Sequence, residues 1–306
     1  MSLTATRPRL GFLGLGWIGK SRRDALAADG SAEIGPVADP AFDGALDSLD
    51  DLLAANLDGL VIATPSALHA EQAIAALEHG LAVFCQKPLG RDAAETRAVV
   101  EAAQRADLLL GVDLAYRHVR AFATAADLVG AGALGEIFAA EMVFHNAYGP
   151  DKPWFHDPTL SGGGCLIDLG VHLVDLAVWT MDLDPVEVRS RLVGEPVEHF
   201  ATAELDGVRL ACSWNLHAGR DAVIEATFHG TDGATSVRNV LGSFYDFRCD
   251  LLRGTHRETL VEPPDDWMGR AAVEWARRLA AGERFDAAAA SEFVRVAEIL
   301  DRIYGR

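Results

Sequence analysis

The chain has 306 residues, 50 % apolar, 24 % charged and 8 % aromatic, which suits a folded protein of one large or two ordinary domains and excludes a disordered or collagen-like chain. Its 45 acidic residues outnumber 27 basic ones, and the net charge of −18 disfavours nucleic acid and anionic membranes as partners. No run reaches the ~18 consecutive apolar residues of a membrane span, and Cys85, Cys165, Cys212 and Cys249 stand far apart without a C-x-x-C pair, which argues for a reduced, cytoplasmic protein without a zinc site.

In chain order, Met1 to Arg9 is polar and too short for a signal peptide, and Met1-Ser2-Leu3 reads as an expression scar ahead of a native start near Arg7. Leu10 to Gly14, Ile34 to Ala38, Gly59 to Thr64, Leu81 to Cys85 and Leu108 to Val112 are short, nearly unbroken apolar runs. Such runs predict strands covered on both faces. Helical periodicity fills the gaps at Ile18 to Ala28, Leu49 to Ala55, Leu68 to His79 and Asp92 to Ala106. Strand–helix alternation predicts an α/β domain with a doubly wound parallel sheet over residues 1–118.

Beyond residue 118 the pattern changes. A helix at Val119 to Val129 runs into the glycine-rich stretch Gly130 to Gly135, and alternating segments follow at Glu136 to Asn146, Val186 to Val193, Ala201 to Leu216, Ala222 to His229 and Tyr245 to Val261. Alternation marks antiparallel strands with one covered face, and Asp206-Gly207 and Asp232-Gly233 are hairpin signals. Asp265 to Arg306 reads as two closing helices. Residues 119–306 are therefore expected to form an α+β domain on an open-faced, mainly antiparallel sheet, with the last helix free to pack back on the first domain.

Gly14-Leu15-Gly16-Trp17-Ile18-Gly19 joins the first strand to the first helix. Glycines at these places allow a tight turn, close approach of a pyrophosphate and close helix–strand packing. The helix start then faces the phosphates with free N–H groups. Asp39 follows at the end of the next strand, near the ~20-residue spacing of a carboxylate that binds ribose hydroxyls. Asp39 would repel a 2′-phosphate, which favours NAD over NADP, although Arg22 or Arg23 offers a phosphate partner. Thr64 and Pro65 end a later strand at the ligand edge of the sheet, where Ser66 is positioned to cap the next helix.

Lys87 ends another core strand at the same edge, on backbone stiffened by Pro88. Its ammonium suits stabilisation of charge developing on a substrate oxygen. In Leu166 to Trp179 the ionisable groups are Asp168, His172 and Asp175, spaced i, i+4 and i+7 on one helical face. Ionisable groups on an otherwise apolar helix suggest an active-site wall. His172 is the candidate proton carrier and Asp168 the group that orients it or the substrate; Asp175 reads as structural. Two such ligands on one turn do not make a metal site. The polar, aromatic stretch His145 to His156 reads equally as a substrate-side loop, with Tyr148, Lys152 and Trp154 as candidate contacts, or as a loop at a subunit interface; Arg117 is a candidate substrate contact or pairs with a carboxylate.

Together these residues resemble the Gfo/Idh/MocA family of NAD(P)-dependent oxidoreductases. The resemblance rests on Gly14 to Gly19, Ala63-Thr64-Pro65 with His69, Gln86-Lys87-Pro88, Gly132 to Ile137, and Asp168-x-Gly170-x-His172. It implies a Rossmann domain with Thr64, Pro65, His69 and Lys87 at the cofactor, and a substrate domain with an open sheet. It also implies hydride transfer at a sugar, cyclitol or related polyol hydroxyl, with Lys87, Asp168 and His172 catalytic, and homodimers or homotetramers built through the open sheet face. Two features depart from the family pattern. Gln86 replaces the usual glutamate beside the lysine, and the short stretch from Asp39 to Leu49 leaves little room for the usual second helix. A non-catalytic NAD(P)-binding regulator and an NAD-dependent glycoside-cleaving enzyme remain as other readings of the same fold.

Overall fold

A computed structural model describes residues 7–306; Met1-Ser2-Leu3 lies outside the described residues. In chain order the elements are β1 (Arg9–Leu13), α1 (Trp17–Asp29), β2 (Glu33–Ala38), α2 (Leu49–Leu53), β3 (Gly59–Ile62), α3 (Ser66–Glu78), β4 (Ala82–Cys85), α4 (Ala93–Ala106), β5 (Leu110–Val112), α5 (Arg120–Gly130), β6 (Ile137–Asn146) and α6 (Pro158–Ser161). A π-helical turn (Leu166–Gly170) leads into α7 (Val171–Met181). There follow β7 (Val188–Val193), β8 (Phe200–Leu205), β9 (Val208–Ser213), β10 (Ala222–Gly230), β11 (Ala234–Asn239), β12 (Phe247–Arg253), β13 (His256–Val261), α8 (Arg270–Ala280) and α9 (Ala287–Tyr304).

The chain divides into two compact units. The first runs up to Ala115 and includes Met268–Val294; the second comprises Tyr116–Trp267 and Arg295–Arg306. The boundary lies near the expected residue 118, and Met268–Val294, which holds α8 and the start of α9, groups with the first unit, where only the last helix was expected to pack back. The reason lies in α8, where Ala271, Ala272, Val273, Trp275 and Ala276 are buried on the parallel sheet. Trp275 packs 5.6 Å from Phe84, centroid to centroid, and a Cβ on Gly111 of β5 would lie 2.7 Å from its ring. Truncating a buried side chain of this size costs about 3–5 kcal/mol. The first sheet therefore needs α8 to cover one face.

In the first unit the strands are parallel, in the order β2-β1-β3-β4-β5. Successive side chains alternate between two cores. Leu60, Ile62, Val83 and Cys85 face a cluster that includes Ala73 and Leu77 of α3 and Val99 of α4. Leu10, Phe12, Val61 and Phe84 face Leu26 of α1 and Trp275 of α8. The strand order reverses between β1 and β3, so the loops after these two strands meet at the topological switch point. As anticipated, no helix occupies the stretch after β2; Ala38 bridges to Leu46, and the short α2 begins after Ser48, whose side chain caps it.

The second unit holds an eight-stranded sheet, β13-β12-β11-β10-β6-β9-β8-β7, antiparallel except for the parallel pair β6–β9. The Asp206-Gly207 and Asp232-Gly233 turns fall where the hairpin signals placed them. β11, short and without a strong apolar alternation, is absent from the predicted strands. α5 and α7 cover one face. On the other face Glu141, Arg189, Arg191, Thr202, Glu204 and Arg209 line a groove of about 690 Å³. Pro158–Met181 is apolar and long enough by composition to cross a membrane, but 78 % of its most apolar window is buried, as in a core helix.

Candidate functional site

The glycine-rich turn after β1 takes the form its residues predicted. Gly14 has φ +84°, and a Cβ there would lie 2.7 Å from the Ala63 carbonyl oxygen. A Cβ on Gly19 would lie 2.3 Å from the Gly14 carbonyl oxygen, so α1 can start this close to β1 only with glycine there. The start of α1 has no side-chain cap at Gly16 and no acidic residue in its first turn. Its positive end is open to an anion, which fits a dinucleotide pyrophosphate. Gly16 is exposed, Ile18 is half-buried, and Trp17 is 63 % exposed.

Asp39 reaches back across this turn. Its Oδ2 accepts from the Leu15 amide at 2.5 Å and its Oδ1 from the Ala41 amide at 2.8 Å. Each oxygen keeps a lone pair for a ribose hydroxyl. The two arginines considered for a 2′-phosphate separate. Arg22 is buried and donates through Nε to Asp113 Oδ2 at 2.6 Å, which removes it from consideration. Arg23 remains near this edge, its guanidinium 5.6 Å from the Phe42 ring centre.

Thr64 and Pro65 follow β3 directly. Pro65 takes the N-cap place and Ser66 is the first helical residue, so the predicted Ser66 cap is not formed. Thr64 Oγ1 is 2.6 Å from Gln72 Oε1, a donation that leaves its own lone pairs available. His69, expected at the cofactor, is instead 1 % exposed beneath the loops. Its Nδ1 is 2.7 Å from the Pro88 carbonyl oxygen and its Nε2 2.8 Å from that of Thr64. It therefore ties the loop after β3 to the loop that carries Lys87. Lys87 itself is half-buried at the end of β4, on a cis bond to Pro88. Beneath it, the Gln86 amide and Arg22 both donate to buried Asp113. Asp113, the residue after β5, thus sets a carboxylate against the Gln86 amide.

Burial, more than the nearby Lys87 ammonium, lowers the pKa of His69 below its ordinary 6.5, against the two carbonyls that favour the charged ring. Below 6.5 the unfolded chain then binds a proton more readily than the folded one, so stability falls as pH drops from about 6.5 towards the folded value and is intact above it. Urea midpoints measured between about pH 5 and pH 8 are expected to show this acid loss in the wild type and a shallower one in His69→Gln. Equal slopes in the two proteins would remove His69 as its source.

In the second unit, every residue from Ser161 to Val178 is buried except Asp168, which is half-buried. The predicted regular helix is replaced here by a π turn over Leu166–Gly170 that contains Asp168. π turns interrupt helices frequently at functional sites. Asp168 Oδ2 accepts from the Trp214 indole N–H at 3.1 Å. His172, 8 % exposed, is packed by Tyr116, 4.8 Å away with the rings 72° apart, and by Phe144 at 6.2 Å. Burial and Asp168 push the Tyr116 phenol well up, so it stays protonated.

Asp175 is 1 % exposed and bound by the Arg117 guanidinium, with Nε 3.0 Å from Oδ1. Of the two places considered for Arg117, the structure shows the pairing with a carboxylate, and that carboxylate is Asp175. Trp154 stacks on Phe155 at 3.8 Å; Phe155 and His156 lie against Trp214 at 6.4 and 5.8 Å. Trp154 thus begins an aromatic patch that ends beside Asp168. Tyr148 is 55 % exposed and its hydroxyl donates to Asp221, while Lys152 is exposed at the start of a short 3-10 turn. Neither is brought to Asp168 by a contact among the described residues. No group of three His, Cys, Asp or Glu side chains among those residues could hold a metal ion.

The residues Trp214 and Asp113 were not foreseen as site neighbours. Asp113 alone had a signal, an isolated acid at the end of the apolar run Leu108 to Val112.

Two family models match the chain. Residues 9–114 match one described as an oxidoreductase family with an NAD-binding Rossmann fold, and residues 122–236 match the GFO/IDH/MocA C-terminal domain. A 1,5-anhydro-D-fructose reductase of Ensifer adhaerens is 30 % identical over 195 residues, covering 61 % of this chain and 58 % of the reductase. Over a longer stretch, inositol 2-dehydrogenase 3 of Saccharopolyspora erythraea is 26 % identical, covering 91 % of this chain and 82 % of its own. Among solved structures, a levoglucosan dehydrogenase in complex with NADH and levoglucosan has a TM-score of 0.84 at 21 % identity, covering 98 % of this chain and 97 % of that one. At that identity the likeness shows the fold.

Proposed function

The chain belongs to the Gfo/Idh/MocA family of oxidoreductases, and from that membership we propose that it transfers hydride between a nicotinamide cofactor and a hydroxyl or carbonyl carbon of an unphosphorylated sugar, cyclitol or related polyol. The observation that carries the reading is the placement of Asp168. It alone breaks the surface of an otherwise buried segment, one helical turn from His172 and beside an aromatic patch. The relatives named for anhydrofructose and inositol support the substrate class.

When bound, the nicotinamide supplies the hydride acceptor or donor. In the oxidative direction His172 takes the hydroxyl proton as the carbon loses hydride. Lys87 donates to the oxygen and stabilises its developing negative charge. Asp168, fixed by the Trp214 indole, accepts from a substrate hydroxyl and sets its orientation. Gly14, Gly16, Trp17, Ile18, Gly19, Asp39, Thr64 and Pro65 form the cofactor side, and His69 holds their loops.

Asp39 favours NAD. Substituting Asp39→Ser keeps a hydroxyl acceptor for the Leu15 amide but removes the repulsion of a 2′-phosphate, with Arg23 close by. The ratio of kcat/KM for NAD over NADP is expected to fall about tenfold or more, the equivalent of one good charge interaction. An unchanged ratio would end the assignment of Asp39 to cofactor choice.

The open sheet face supports a homo-oligomer. It carries Glu141 and Glu204 together with Arg189, Arg191 and Arg209, charges of both signs that a twofold axis can pair. Light scattering is expected to give a dimer or tetramer, and Arg191→Glu to weaken it; a wild-type monomer would refute this assembly. A reducing cytoplasmic setting is the expected one from the four scattered cysteines, which lack a C-x-x-C pair.

The reading is tested by titrating tryptophan fluorescence with NADH and NADPH, followed by a polyol and aldose panel at the NADH absorbance band. Exposed Trp17 reports binding at the glycine-rich turn. Binding with turnover of a sugar or cyclitol is expected. Binding without turnover across the panel would move the chain to the regulator or glycoside-cleaving readings, and no binding would overturn the proposal.

A further inference from the structure

Glu198 is a buried carboxylate for which the reaction has no use. Its side chain, 5 % exposed, meets only donors: the Gly164 amide at 3.0 Å from both oxygens, the Leu166 amide at 2.9 Å and the Tyr304 hydroxyl at 2.8 Å. Its own carbonyl accepts from the Cys165 amide at 2.9 Å. The Tyr304 oxygen in turn accepts from the Ile167 amide at 3.2 Å. The four successive amides from Gly164 to Ile167, those a helix start leaves without intrahelical partners, therefore all end on these two residues.

The fit leaves no slack. A Cβ on Gly164 would lie 2.0 Å from the Glu198 carbonyl oxygen, and one on Gly163 would lie 2.1 Å from the Tyr304 oxygen. The glycines of the turn are thus required by the approach of Glu198 and of the C-terminal end of α9. Arg306 adds a donation to the Gly162 carbonyl at 3.1 Å. The next residue after this clamped run is Asp168, whose amide donates to the Gly164 carbonyl at 3.1 Å. A carboxylate so near the helix start also complements its positive end.

We propose that Glu198 and Tyr304 are positioning residues for Asp168. They hold the π turn in the one register that presents the Asp168 carboxylate to substrate, and they act through the amides of Gly164 to Ile167 without touching substrate. The inference rests on the reading of Asp168 as the group that orients a sugar or polyol.

Tyr304→Phe removes the hydroxyl and keeps the ring. Two measurements on the full chain, well below each protein's melting midpoint, test the proposal. Amide hydrogen exchange over residues 163–168 is expected to quicken about tenfold or more, while β3 and β4 exchange as in the wild type. With a substrate from the panel, kcat is expected to fall about tenfold to a hundredfold, the cost of a small misplacement, with KM for the cofactor unchanged. Glu198→Gln, which turns one acceptor into a donor facing the Gly164 amide, carries the same comparison should Tyr304→Phe not fold. Wild-type exchange in the variant overturns the clamp. Faster exchange with unaltered kcat overturns the positioning role, since it leaves a structural effect alone. Should the wild type oxidise nothing on the panel, the functional reading fails, and the exchange rates alone decide whether the two residues hold the Asp168 turn.

Discussion

His172→Ala is expected to lower kcat by about 10²- to 10⁴-fold, the usual contribution of a positioned acid–base group, with NADH binding unchanged. The groups around His172 are poorly suited to take over the proposed role. His172 is 8 % exposed, and the rings of Tyr116 and Phe144 fix its plane. The nearby Tyr116 phenol is held protonated by burial and by Asp168, so it is a poor base. Asp175, three residues on, is committed to the Arg117 guanidinium. Partial recovery by added imidazole would separate loss of the proton carrier from loss of packing. Residual activity above about a tenth of the wild type would refute His172 as the base.

The second large effect is expected at Lys87. Lys87→Ala removes one donor to the developing oxyanion, a loss of about 10²- to 10³-fold in kcat. Cofactor binding, read from Trp17 fluorescence, is expected to persist, since the glycine-rich turn and Asp39 are untouched. Lys87→Arg is expected to recover little, because a planar, longer guanidinium does not place its donors where a compact ammonium does. The support beneath Lys87 is rigid. Gln86 and Arg22 converge on Asp113, whose side chain is fully buried, and an unpaired charge in such a place would be costly. Full turnover by Lys87→Ala alongside normal binding would assign the oxyanion contact to another group.

Chemistry carried by local patterns was legible. The turn Gly14 to Gly19 and the spacing to Asp39 are read within one βαβ unit, and the strand periods of Leu10 to Val112 translate directly into a parallel sheet. Lys87 and Asp168 with His172 stood out because they interrupt apolar runs. The errors also have physical causes. The burial of His69 between the Thr64 and Pro88 carbonyls was not legible, because those carbonyls lie on separate loops. β11 was overlooked because its residues barely alternate in polarity. The π turn at Leu166–Gly170 escaped notice because its apolar residues fit an α-helix equally well.

By itself the sequence determined the two kinds of sheet and the dinucleotide turn, because each depends on side chains within a few positions of one another. Only the tertiary structure decided what closes over long separations. It returned Trp275 to the first sheet, buried Arg22 on Asp113 91 residues away, and set Tyr304 on Glu198 at a separation of 106. No periodicity encodes such pairs. They arise from the demand that buried charges, free amides and uncovered apolar faces find partners wherever the folded chain brings them.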